Sequence, residues 1–173
     1  MLENLVLVTG PPGAGKTTVA LPLARELGYP LVSKDRIKEA LDDALGGAGR
    51  DSAWSHLLGG ATYEVMWTVT PYFRSVVLDC NLYPRSEEQR SRILELSSHP
   101  LEIYCACPAE EASRRHAERA ATRHPVHVDA FLSPERMRDW DRPMDLGPVL
   151  SVDMTMPFDV REIASWVRKQ AVH

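Results

Sequence analysis

Lysine is scarce in this chain. Of 20 basic side chains only Lys16, Lys34, Lys38 and Lys169 are lysines, and the first three crowd the N-terminal region. Cysteine is nearly as rare. Cys80, Cys105 and Cys107 match no metal-ligand spacing, and an odd count of three builds no disulfide framework, so they read as small buried residues of a reduced protein. Long apolar runs are missing: residues 5–8 are too few for a signal peptide, and nothing approaches the ~18–20 residues of a membrane helix. A cytoplasmic chain without membrane contact is expected. An excess of positive charge is missing as well. The net charge is −4, which weighs against a general duplex-DNA binder. Internal repeats and linker-like shifts are absent, so residues 1–173 read as one domain. With 44% hydrophobic and 25% charged residues, that domain has an ordinary globular balance.

What is present is an alternation of strand and helix patterns. Short aliphatic runs at 4–9, 30–33, 75–79, 101–107 and 149–155 read as buried strands. Helical spacing covers 16–27, ended by Gly28 and irregular at Pro22, then 35–45, stopped by Gly46 and Gly47. After a loop at 46–50 it covers 51–73, with a break expected at Gly59-Gly60. Three further helices are read at 86–97 with Ser86 as N-cap, from Pro108 at the first helical position to about 122, and at 159–170. Residues 123–148 read as irregular, with a short helix after Ser133-Pro134. Such an order predicts an α/β fold: a three-layer αβα arrangement around a five-stranded parallel sheet, with a small helical lid at about 110–148. Ligands then belong beyond the carboxyl ends of the strands.

The strongest motif lies at the end of the first strand. Gly10, Pro11, Pro12, Gly13, Ala14, Gly15, Lys16 and Thr17 fit G-x-x-x-x-G-K-[ST], with Thr18 following. Glycines let such a loop turn successive N–H groups toward phosphate oxygens, and the helix begun at Lys16 adds its positive end. Lys16 is expected on the β- and γ-phosphates and Thr17 on Mg²⁺. No Asn-Lys-x-Asp guanine motif is present, which favours ATP over GTP.

Three further groups are candidates. Asp35 follows the second strand and is flanked by Lys34 and Lys38. It reads either as a helix N-cap or as a general base for an acceptor hydroxyl, with Lys38 holding an anionic group on that acceptor. The second strand is expected near the first, which would set Asp35 across a cleft from the phosphates. Asp79 closes the third strand at a Walker-B-like position, orienting Mg²⁺ through water, and Asn81 and Arg85 follow as acceptor contacts. Arg115, Arg119 and Arg123 repeat every four residues beside Arg114, either as a solvated face or as a lid closing over the transferring phosphoryl group. His116, His124 and His127 lie nearby in no common metal-ligand pattern and read as surface or substrate-contacting groups.

The phosphate loop, Lys34-Asp35-x-x-Lys38, the segment from Val77 to Pro84 with its Asp79-x-Asn81-Leu-x-Pro84 core, and Cys107-Pro108 followed by Arg114, Arg115 and Arg119 resemble the kinase domain of polynucleotide 5′-hydroxyl kinases. They also resemble the bacterial ATP-binding proteins with that domain, zeta-toxin-like and antibiotic-phosphorylating kinases among them. The resemblance spans about the first 120 residues. It implies Asp35 as general base, phosphate contacts for Lys16, Arg115 and Arg119, and metal ligation by Thr17. Lys38 departs from the polynucleotide members, which favour arginine there, because an ammonium lacks the bidentate fork. Residues 123–127, Arg-His-Pro-Val-His, look instead like the stand-alone bacterial members. The expectation is an ATP- and Mg²⁺-dependent kinase acting on a hydroxyl of a small molecule such as a nucleoside, sugar or antibiotic. A polynucleotide 5′-hydroxyl kinase and a nucleotide switch or ATPase are the rivals.

Overall fold

The computed structural model describes residues 1–46, 51–129 and 131–171. Most of the loop expected at 46–50 lies outside the described residues. Five strands form one parallel sheet: β1 (Asn4–Thr9), β2 (Leu31–Ser33), β3 (Ser75–Asp79), β4 (Leu101–Ala106) and β5 (Val149–Asp153). Their order is β2-β3-β1-β4-β5. The helices are α1 (Lys16–Leu27), α2 (Lys34–Ala44), α3 (Ser52–Val69), α4 (Glu87–Leu96), α5 (Ala109–Glu118), α6 (Pro134–Met137) and α7 (Val160–Gln170). The expected three-layer α/β architecture is the one observed.

β1 is buried along its whole length. Alternation splits its side chains between two cores. Val6 and Val8 meet Val19 and Leu23 of α1 and Ile163 and Val167 of α7. Leu5 and Leu7 meet Met66 of α3 and Ile93 and Leu96 of α4 on the opposite face. A central strand covered on both faces needs this unbroken aliphatic run, and residues 4–9 supply it.

Several expected boundaries move. β2 is not next to β1. β3 lies between them, pairing Val77 with Val6 on one side and with Leu31 on the other. β3 is the longer strand, five residues against three, with an aliphatic centre at 76–78 and burial from Val76 to Asp79, and it takes the interior place. α3 runs through Gly59 and Gly60 without the expected break. Pro108 is the N-cap of α5 rather than its first residue. That helix also stops at Glu118, with a 3₁₀ turn at Ala120–Thr122 in place of its expected last turn. Ser86, Ser133 and Asp51 do cap α4, α6 and α3, each accepting a backbone N–H through its side-chain oxygen. Cys105 is buried in the core, whereas Cys107 falls beyond the end of β4 and is half-buried.

The later part of the expected lid is fastened to the body. The buried Glu102 carboxylate accepts the Thr9 hydroxyl at 2.5 Å and the Met144 and Asp145 amides at 2.9 and 3.0 Å. Tyr104 donates to the Trp140 carbonyl at 2.9 Å. Met137, Trp140 and Met144 are buried.

Candidate active site

The chain leaves β1 into a loop that only glycine can follow. Gly10 and Gly13 have φ of +130° and +88°. A Cβ would stand 2.5 Å from the Cys105 carbonyl oxygen at Gly10, and 2.2 Å from the Ala112 carbonyl oxygen at Gly13. The loop is therefore pressed against β4 and α5. α1 follows with Gly15 as N-cap and no side chain satisfying its first N–H groups, so its N-terminal turn is open to an anion. Lys16 is buried and folds back, donating to the carbonyls of Gly10 and Pro11 at 3.0 Å each. Burial pulls its pKa below the ordinary lysine value, opposed by Asp79 and Asp35.

β1 and β3 end side by side, which brings Thr17 to Asp79. The Thr17 hydroxyl donates to Asp79 Oδ2 at 2.8 Å, and the Ser33 hydroxyl donates to the same oxygen at 3.1 Å. Burial raises the Asp79 pKa, while the Thr17 bond and the Lys16 charge pull it down. A hydroxyl and a carboxylate at the edge of a phosphate loop are hard oxygen donors of the kind Mg²⁺ takes alongside phosphates. The donor set fits the ion.

Asp35 is the second residue of α2; Ser33 holds the N-cap position, with its hydroxyl on Asp79 and no side-chain capping bond. Its side chain is 49% exposed and lies 3.7 Å from the Lys34 ammonium. Burial pushes its pKa up, but Lys34, His127, Lys16 and Arg123 together outweigh burial and hold it below the usual carboxylate value. These cations favour the carboxylate form of Asp35.

The arginines divide where α5 ends. Arg119 and Arg123 line the cleft above the phosphate loop together with His116 and His127. Arg115 is not among the cleft-lining residues. It donates to Glu111 at 2.6 Å and to the Met154 carbonyl at 3.0 Å, on the side of the loop where the Met154 methyl approaches Gly15. Arg114 is exposed and pairs with Glu111 and Glu118. Arg85 also departs from the expectation. It pairs with Asp141 at 2.9 Å, in a surface hollow beside Arg90 and Arg142. The physical reason is the helical turn at Ser86, which carries Arg85 away from the strand ends. Asn81 does reach the cleft. His127 meets Glu39 at 3.0 Å and His124 meets Asp43 at 3.1 Å, so both histidines tie the lid stretch to α2.

The cleft has two adjoining compartments. The first, of 310 Å³, lies over the phosphate loop and is lined by residues of that loop, Thr18, Asp79 and Arg119. The second, of 490 Å³, is lined by Lys34, Lys38, Tyr63, Tyr83, Arg136 and Trp140 among others. Asp35, Asn81, Arg123 and His127 border both. Sequence reading passed over Glu39, Tyr63 and Arg136, for which no motif exists, and gave Tyr83 no role although it lies in the segment from Val77 to Pro84. It saw Arg123 only as the third member of a helical series.

Known proteins share this fold. Residues 5–140 match the family described as an AAA domain, AAA_33. A candidate kinase from Chloroflexus aurantiacus j-10-fl is 29% identical, with a TM-score of 0.81 over 98% of this chain and 100% of the other. The shikimate kinase of Acinetobacter baumannii in complex with shikimate has a TM-score of 0.61 at 20% identity, over 98% and 92% of the two chains. The gluconokinase of Sinorhizobium meliloti 1021 has 0.58 at 15%, over 98% and 91%. Among curated sequences, the cytidylate kinase of Saccharolobus islandicus is 40% identical over 42 residues, which is 24% of this chain and 22% of that enzyme's length. The fold is that of P-loop kinases, and no helix among the described residues is long and apolar enough to cross a membrane. With its phosphate loop, β2–β4, α1–α6 and all of β1 but Asn4 inside the matched span, the chain belongs to this AAA-domain family.

Proposed function

We propose that the protein is an ATP-dependent kinase that moves the γ-phosphoryl group onto a hydroxyl of a small molecule. The observation that carries this reading is Asp35. It is an ionised carboxylate on the border between the phosphate-loop compartment and a second compartment. A base in that position faces a hydroxyl on one side and a terminal phosphate on the other. The hydroxyl proton passes to Asp35, the acceptor oxygen forms the new bond to phosphorus, and the bond from the γ-phosphorus to the bridging oxygen breaks to release ADP. Lys16 leaves the Gly10 and Pro11 carbonyls to neutralise the β- and γ-oxygens. Arg119 and Arg123 balance charge on the transferring group. Thr17, and Asp79 through water, would hold Mg²⁺, which supplies further charge neutralisation on the phosphates.

The size of the second compartment favours a small acceptor over a strand of nucleic acid. Its 490 Å³ falls in the ~300–1,000 Å³ range of small-molecule sites. The named structural neighbours include kinases of shikimate and gluconate, both compact hydroxyl compounds. The test is transfer of labelled γ-phosphate to a panel of sugars, hydroxy acids, nucleosides and 5′-hydroxyl oligonucleotides. Labelling of a small molecule that disappears in Asp35→Asn is expected. Labelling confined to oligonucleotides, or ATP hydrolysis alone, would overturn the reading.

A further inference from the structure

The second compartment holds features that the transfer step leaves without a role. α3 lines it with Ser55, His56, Gly59, Gly60 and Tyr63. Spacings of four place these on one helical face. Between His56 and Tyr63 that face is bare. A Cβ at Gly59 or Gly60 would meet no atom within 4 Å, and neither glycine has a positive φ. Neither packing nor backbone geometry calls for glycine here, although glycine weakens a helix interior relative to alanine. The side chains are missing where the cavity is.

Lys38 adds an independent observation. It is 6% exposed and lines the same compartment. Its ammonium donates to the Ser55 hydroxyl at 2.7 Å and forms no ion pair among the described residues. A buried cation whose one direct partner is neutral is costly, and Asp35 and Asp129 offset that cost only from beyond ion-pair distance. The compartment as a whole is cationic, with Lys34, Lys38, Arg123 and Arg136 facing Asp35 and Asp129. The buried Trp140 indole N–H, in the wall of the same compartment, meets no acceptor among the described residues.

We infer that the acceptor is a compact hydroxyl-bearing anion, seated against the bare Gly59–Gly60 face of α3 with its charge on Lys38 and Ser55, and that the two glycines set the size it can have. Lys38 follows Asp35 by three residues of α2, about 4.5 Å along the helix axis. The charged end therefore lies about one helical turn from the hydroxyl that Asp35 serves. The identity of that hydroxyl rests on the kinase reading; the seat itself is tested by binding.

Titration calorimetry on protein saturated with a non-hydrolysable ATP analogue compares gluconate, shikimate and glycerol 3-phosphate with the neutral glucose and inositol. At least one anion is expected to bind about tenfold tighter than the neutral compounds. Gly60→Ala should weaken that anion about tenfold, with Tm unchanged or higher and affinity for the ATP analogue within about twofold. Lys38→Met should remove the preference for the anion. The seat is overturned if no probe binds, if neutral compounds bind as well as anions, or if Gly60→Ala leaves the affinity unmoved. An anion that binds yet accepts no phosphoryl group defeats the kinase reading and leaves the seat. A neutral alcohol phosphorylated equally by wild type, Lys38→Met and Gly60→Ala defeats the seat and leaves the kinase.

Discussion

The compartment over the phosphate loop has its base in one contiguous stretch, residues 12–18, and in the ends of β2 and β3, with side chains of α2 and of the chain from His116 to His127 around it. Its neighbour draws on α2, α3, the segment after β3, and the chain from α5 to Trp140. The first works through backbone: glycines forced into left-handed turns, unsatisfied N–H groups, a helix end. Any nucleoside triphosphate offers the same phosphates, so a fixed backbone suffices. The second works through side chains on separate elements, each replaceable without disturbing the sheet. On the proposed kinase reading, the phosphoryl donor is held by fixed backbone geometry and the acceptor by side chains from separate elements.

Substitutions can break this contrast from either side. The largest effect is expected at the shared border. Asp35→Asn should cut turnover by ~10²–10⁴ while barely altering ATP affinity, measured by single-turnover kinetics and nucleotide titration. Because Lys34, His127, Lys16 and Arg123 hold the Asp35 carboxyl below its usual value, the base stays ionised through mildly acidic pH. The Asp35-dependent limb of kcat/KM should then lie below the ordinary aspartate value, and activity should be lost only as pH falls through that depressed value. A limb near 6 would assign the base elsewhere.

Lys16→Ala should strike one compartment alone. Turnover is expected to fall by ~10²–10³, with acceptor binding to the nucleotide-free protein retained. If acceptor binding collapses as well, the two compartments are one coupled unit. Gly13→Ala should act on folding, because its Cβ would stand 2.2 Å from the Ala112 carbonyl oxygen at φ +88°. A loss of about 1–3 kcal/mol in denaturant unfolding is expected. Arg85→Ala should have the smallest effect, under about twofold on turnover and about 0.2–1 kcal/mol on stability, since Arg85 forms an exposed pair with Asp141 outside both compartments. A large loss of turnover there would restore it to the acceptor site.

The contrast also explains what could be read in the sequence. β1, β3 and α1 begin and end where their patterns say, because each is written in local alternation, a terminal glycine or a motif. The break expected at Gly59-Gly60 fails because flanking contacts at Leu58, Thr62 and Met66 bury one side of α3 and carry it across. The helical series Arg115, Arg119 and Arg123 was legible, but its division was not. α5 ends at Glu118, which turns Arg119 and Arg123 into the cleft and leaves Arg115 on Glu111 and Met154.

By itself, the sequence determined the phosphate loop, the parallel α/β order and the candidacy of Asp35, since each is encoded by neighbours along the chain. Only the tertiary structure decided three other matters. It inserted β3 between β2 and β1, removed Arg85 from the site, and set the few lysines Lys34 and Lys38 around a second compartment whose floor is two glycines. Those outcomes depend on which distant segments pack together, and packing is a property of the whole fold.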